Sequence, residues 1–206
     1  MLDRIGKRYD NEARCRGLAK TGTFVLRQKL SGYAPLTSED ATLLGMLEGK
    51  RRFVPARESS IVERSTANQS WSICDGWVYS YEVLASGGRQ VMGFHLPGDL
   101  IGGSNARGDG FFYAAATDCV LREFDRSLLM KLRRSETILP DALQWSDARE
   151  QAILEQRLIS IGRRSGISRV AHLLLELGGR LKLVGLLITM ATCAPCHRNC
   201  SATPWG

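Results

Sequence analysis

The sequence predicts an α+β fold, a jelly-roll-like roll of short strands followed by long helices, on three observations. Between Asp75 and Gly102, the stretch DGWVYSYEVLASGGRQVMGFHLPGDLIG is cut by three turn signals into runs rich in β-branched and aromatic residues. Asp75-Gly76, Ser86-Gly87-Gly88 and Pro97-Gly98-Asp99 each read as a hairpin-type turn that tolerates positive φ. Second, Trp77, Tyr79, Tyr81 and Val83 alternate with Val78, Ser80, Glu82 and Leu84, the period of a strand with one largely apolar face. Third, the periodicity changes from two to the helical value after Asp125.

Composition sets the outer bounds. A chain of 206 residues, 44% of them hydrophobic, can bury a real core as one large domain or two small ones. Its net charge of +7 suits a polyanionic partner such as DNA without requiring one. The N-terminus mixes charge throughout and no 18-residue apolar run exists, which argues against membrane insertion and secretion and for a cytoplasmic protein. Cys15, Cys74 and Cys119 lack metal-ligand spacing and read as reduced thiols.

Taken in order, residues 1–29 form a basic leader with room for one short helix. Leu36 to Asp40 is a helix start, with Thr37 or Ser38 as N-cap and Leu43, Leu44 and Leu47 turned to the core. Strands are expected through the turn-rich stretch. A short helix follows Asp125. Pro140, tolerated in a first turn, opens a long helix to about Ile161, on which Ala142, Trp145, Ala148, Ala152 and Ile159 form one apolar stripe interrupted at Glu155. Ser165 or Ser168 caps the next helix, whose leucines face a core.

Gly76-x-Val78, then Gly88-Arg89-Gln90, then Pro97-Gly98-Asp99-Leu100-Ile101-Gly102 resembles, in order and spacing, the sensor domain of the Crp/Fnr transcriptional regulators. The resemblance runs from about Leu30 to about Leu186. It implies a β-roll sensor at 30–135, a dimerisation helix at 136–162 and the first part of a winged helix-turn-helix domain at 163–186, with a deviant tail at 187–206. It further implies a homodimer, a DNA partner and a small-molecule effector of unknown identity, and neither a cofactor nor an enzymatic activity. Gly98, Asp99, Gly102 and Arg107 are the effector-pocket candidates, and Arg163, Arg164, Arg169 and Arg180 the DNA-backbone candidates.

This chain departs from the family in several places. Arg57 and Arg64 stand where turn glycines are common. After Gly102 the loop GSNARGDGFF has no Arg-Ser or Arg-Thr pair for a cyclic phosphate, and Gly103 replaces the expected acid, so cyclic AMP binding is not expected. Arg107 retains a guanidinium suited to phosphate, although an arginine among Gly and Asp is also ordinary turn composition. With Cys15 alone near the N-terminus, an iron-sulfur cluster wanting four ligands is not expected.

The tail LITMATCAPCHRNCSATPWG contains no amphipathic helix pair, so a recognition helix is missing from it. Cys193, Cys196, His197 and Cys200 match haem-attachment and zinc-ligand patterns, against which stand the unexported N-terminus and the adjacency of Cys196 and His197. A one-base slip accounts for more: Met190-Ala191 then gives glycine, Asn199-Cys200 leucine and Trp205-Gly206 glycine, whatever the codons. The expectation is a regulator impaired in DNA binding by a frameshift near Leu186; the alternative is a stand-alone module binding a small, nucleotide-like molecule. A metalloenzyme of the cupin kind is disfavoured, because His95, His172 and His197 are far apart and form no H-x-H pair.

Overall fold

The computed structural model describes residues 22–56, 61, 68–102 and 112–186. Arg57, Arg64, Arg107, Cys15 and the tail 187–206, with its cysteines and its proposed slip in frame, lie outside the described residues. In chain order the described elements are α1 (Gly22–Ser31), α2 (Ser38–Gly45), β1 (Lys50–Val54), β2 (Gln69–Asp75), β3 (Val78–Val83), β4 (Arg89–His95), β5 (Leu100–Gly102), β6 (Phe112–Ala115), β7 (Cys119–Asp125), α3 (Arg126–Leu132), α4 (Leu139–Arg163) and α5 (Gly166–Leu183).

The strands form two antiparallel sheets, one in the order β1-β7-β2-β5 and one in the order β4-β3-β6. Val54, Trp71, Ile73, Val78, Ile101, Cys119 and Leu121 pack between them. This corrects two of the three expected hairpins. Only Ser86-Gly87-Gly88 closes one, with Leu84 N donating to Gly88 O at 2.8 Å between the paired strands β3 and β4. The turns at Asp75-Gly76 and Pro97–Asp99 instead carry the chain from one sheet to the other, because the strands on either side of each pair with different partners.

Alternation in β3 also has a different sense from its composition. The buried side is Val78 and Ser80, whereas Tyr79 is only half-buried. Tyr81 escapes water by stacking on Phe112, with Arg89 over its other environment at 4.8 Å from the ring centroid. A bulge explains the shift: Ser80 pairs with Gly93 but Tyr81 with Val91, leaving Met92 as the extra residue in β4.

A second core lies under the helices, where Leu26 and Leu30 of α1, Leu44 and Leu47, Phe124, Leu132, Leu139, Ala142 and Leu143 meet. The expected boundary between residues 29 and 30 therefore runs through a helix that packs as part of this body. Thr37 is the N-cap of α2: its hydroxyl accepts from Asp40 N while the Asp40 carboxylate accepts from Thr37 N at 2.7 Å. Asp125 caps α3 and Ser165 caps α5, each through its side chain, and Pro140 occupies the first turn of α4.

Two glycines give a test of the backbone reading. Gly102 has φ +85°, and a Cβ there would come within 2.6 Å of the Trp71 ring, whereas a Cβ at Gly45 in α2 would meet nothing. Gly102→Ala is expected to cost at least ~1–2 kcal/mol from the left-handed backbone alone. Gly45→Ala is expected to stabilise by up to about 1 kcal/mol, since alanine orders more cheaply in a helix. Urea denaturation of both variants measures the difference.

Candidate functional site

A cavity of about 290 Å³ lies between the three-stranded sheet, α1 and α4. Strands supply its floor through Ser80, Gly93, His95 and Tyr113; Lys29 comes from α1, and Glu150, Ile153 and Arg157 from successive turns of α4. Those α4 positions follow from helix geometry, because Ala142, Ser146, Glu150, Ile153 and Arg157 fall on one face. His95 lies 3.0 Å from the Ser80 hydroxyl through its Nε2 and 5.4 Å from the Tyr113 ring centroid. Burial pushes the imidazole pKa down to about 4 despite the nearby Asp99 carboxylate, so the ring is neutral near pH 7.

Asp99 stands at the edge of this cavity and is itself buried. Its carboxylate accepts from Leu96 N at 2.7 Å, closing its own turn, from Lys29 Nζ at 2.7 Å and from Arg180 Nη2 at 2.5 Å. Burial alone would raise its pKa, but Lys29 and Arg180 outweigh that and hold it below the usual carboxylate range. Glu150 adds a second acceptor for Lys29 at 3.2 Å. Lys29, Asp99 and Glu150 also line a smaller crevice of about 30 Å³ that reaches Arg180 and Val184, so these charges form the partition between two spaces.

The network continues into α5. Arg157 donates to both Glu176 oxygens, at 2.7 and 3.3 Å, and through Nη1 to Met92 O at 3.0 Å. Arg180 donates to Phe94 O at 2.9 Å and to Glu176 at 3.3 Å. Strand β4 is an edge strand, and Met92 and Phe94, two residues apart, present their carbonyls on the same unpaired side.

Several sequence expectations change here. Gly98, with φ +89°, and Asp99 do border the cavity. Gly102 does not; it lies under the Trp71 ring, where a side chain has no room. Arg180, expected near a DNA backbone, is only 8% exposed because Asp99 and Glu176 draw it inside. Arg163 and Arg169 are exposed, whereas Arg164 folds back to Ser160 Oγ at 2.9 Å. On α4, Trp145, Ala148, Ala152 and Ile159 are exposed along one stripe, but Ala142 faces the other way and is buried in the helical core. The leucines of α5 do not all face a core either, since Leu177 is buried and Leu174 exposed.

Lys29, His95, Glu150, Arg157 and Glu176 were missed. The sequence holds a signal for Arg157 and Glu150 in their seven-residue spacing on the face of Ala142. Lys29 has no local signal, because its partner lies 70 residues away.

Among the described residues, no His, Cys, Asp or Glu side chains cluster to hold a metal ion, and no helix is long and apolar enough to cross a membrane. The antiparallel roll, closed by a long helix over an internal cavity, is the cyclic-nucleotide-binding-like β-roll architecture. No family model matches the chain. It is similar to the nitrogen fixation regulation protein FixK of Rhizobium meliloti, 33% identical over 118 residues, which are 55% of this chain and 53% of that protein. It is also similar to the transcriptional activatory protein AadR of Rhodopseudomonas palustris, 25% identical over 66% of this chain and 57% of that protein. Among solved structures, FixK2 from Bradyrhizobium japonicum matches with a TM-score of 0.56 and 29% identity, covering 64% of this chain and 66% of that one. The global regulator CLP of Xanthomonas campestris shares the fold, with a TM-score of 0.51 at 14% identity. Over the segments matched, the chain is thus similar to regulators of the Crp/Fnr kind. It spans about half the length of the curated relatives it matches.

The buried imidazole predicts a pH dependence. His95 titrates near 6.5 when unfolded and at about 4 in the fold, so its contribution to stability is complete above pH 6.5 and is lost as pH falls toward 4. The loss is on the order of 3 kcal/mol. Denaturation midpoints across that window should fall in the native chain and flatten in His95→Gln, which keeps a partner for Ser80.

Proposed function

We propose that this chain is an effector-responsive transcriptional regulator of the cytoplasm that binds a small molecule in the β-roll and pairs with a second copy through α4. Binding to promoter DNA would then require a helix-turn-helix of which α5 is the first helix. The observation that carries the reading is the cavity beneath α4 in a roll similar to that of FixK2. Regulatory names of the relatives support it. The dimer is supported by Trp145, 62% exposed, and by Ala148, Ala152 and Ile159 on the same stripe, a face left exposed by the described residues.

Impaired DNA binding is the finer part of the proposal and rests on residues 187–206, whose sequence departs from the helix-turn-helix pattern that the family resemblance leads one to expect there. Arg163, Arg164 and Arg169 at the junction of α4 and α5 would still meet phosphates without reading bases. The second reading, a stand-alone binding module, is favoured by the cavity alone. Calorimetry against a nucleotide panel tests it, since saturable binding with no response to DNA would displace the regulator.

Light scattering after size exclusion tests the dimer. The native chain is expected as a dimer, and Ile159→Glu as a monomer with unchanged circular dichroism. Leu158 is 72% exposed but lies on a different flank, so Leu158→Glu should leave the dimer intact. A monomeric native chain, or the reverse pattern between the two variants, would sink the proposed face. In a mobility-shift assay with a random oligonucleotide library, the chain is expected to bind weakly and without sequence preference. Tight, selective retention would overturn the impaired-binding reading.

A further inference from the structure

Helix α5 is docked by Leu177 together with a run of charges, while much of its apolar surface is exposed. Of its 18 residues, only Leu177 and Arg180 are buried, while Ile167, Val170, Leu174 and Leu175 stand in solvent. The run of ion pairs begins and ends in the cavity wall. Arg157, which lines the cavity, grips the β4 edge at Met92 O and both oxygens of Glu176. Glu176 shares an oxygen with Arg180, which holds Phe94 O and Asp99, and Asp99 returns to the cavity beside Lys29.

Gly93 is where the cavity floor meets the Arg157 end of this network. It lies in the cavity floor between the two edge carbonyls, and a Cβ built there would collide with the Arg157 guanidinium. The obstacle is the far end of a flexible side chain, so Arg157 would yield before the strand did. In yielding it would leave Met92 O and pull away from Glu176. We propose that Arg157 is a relay by which any group occupying the cavity at Gly93 loosens α5 from the β-roll. Arg157 is a positioning residue in this scheme, since it acts on α5 through Glu176. The inference takes its trigger from the reading of the cavity as a ligand site. The relay can be tested with no ligand at all, so failure of either is distinguishable from failure of the other.

The test is amide hydrogen exchange on the full chain, comparing α5 with strands β2 and β7 in the same molecule. Gly93→Ala serves as the occupant. Exchange across residues 170–183 is expected to rise about tenfold in Gly93→Ala and in Arg157→Met, while β2 and β7 keep their native rates. Because both substitutions remove the same contact, Gly93→Ala should add nothing in the Arg157→Met background, whereas independent effects would multiply. Gly178→Ala, where a Cβ meets nothing, should leave α5 unchanged or slower. Unchanged α5 exchange in Gly93→Ala, a multiplicative double variant, or equal acceleration of β2, β7 and α5 would each overturn the relay. Should Gly93→Ala fail to fold, Glu176→Gln, which keeps the shape of its side chain, asks the same question of the next link.

Discussion

The Asp99 carboxylate is the constraint on which the arrangement of the helices depends. A buried carboxylate is stable only when its oxygens are filled by donors and its charge is balanced. Asp99 takes one donor from its own turn, which fixes the passage from β4 to β5, and two cations from elements that have no sequence neighbourhood with it. Lys29 thereby places α1, and Arg180 places α5. Removing either cation would leave a charge in the interior with half of its compensation, so the two helices are positioned by one requirement.

Helix α4 divides the protein in a complementary way. The face carrying Leu139, Ala142, Leu143 and Ile153 is committed to the core, and the polar residues interleaved on it, Glu150 and Arg157, are the ones that reach the cavity and the ion network. The stripe of Trp145, Ala148, Ala152 and Ile159 is exposed among the described residues. One helix thus faces an internal space on one side and, among the described residues, presents an exposed apolar stripe on the other. Any displacement of the first face moves the second as a rigid body, because a continuous helix transmits rotation along its length.

How much of this was legible in the sequence depended on the range of the interaction. Turn glycines, the capping Thr37 and the long helix after Pro140 depend on residues within a few positions of one another, and their reading agrees with the structure in type and nearly in boundary. Sheet membership was not legible, because Asp75-Gly76 has the same local chemistry whether the next strand pairs with the last or crosses to another sheet. The stripe on α4 erred at Ala142, since alanine fits both an exposed seam and a tight core and only neighbours such as Leu143 decide which. Arg180 was misplaced for a related reason: a basic residue reads as a surface charge until a buried acid 81 residues away claims it.

A seam built on ion pairs, as in the docking of α5, differs in kind from an apolar one. An apolar seam gains its energy from buried area without regard to direction, so it loosens gradually and tolerates sliding. Ion pairs at low dielectric are directional and interdependent, and their net contribution to stability is small because desolvation opposes attraction. Such a seam holds one geometry closely, yet it is lost as a unit when a single guanidinium turns aside. Here Arg157, which holds Met92 O and both Glu176 oxygens, is also the guanidinium that lines the cavity and lies where a Cβ at Gly93 would stand. Met92 O, at the exposed end of this seam, can exchange the Arg157 donor for water at little net cost, whereas the buried Asp99 keeps Lys29 and Arg180. In the proposed relay, release of α5 therefore turns on the part of the charge network that Arg157 anchors.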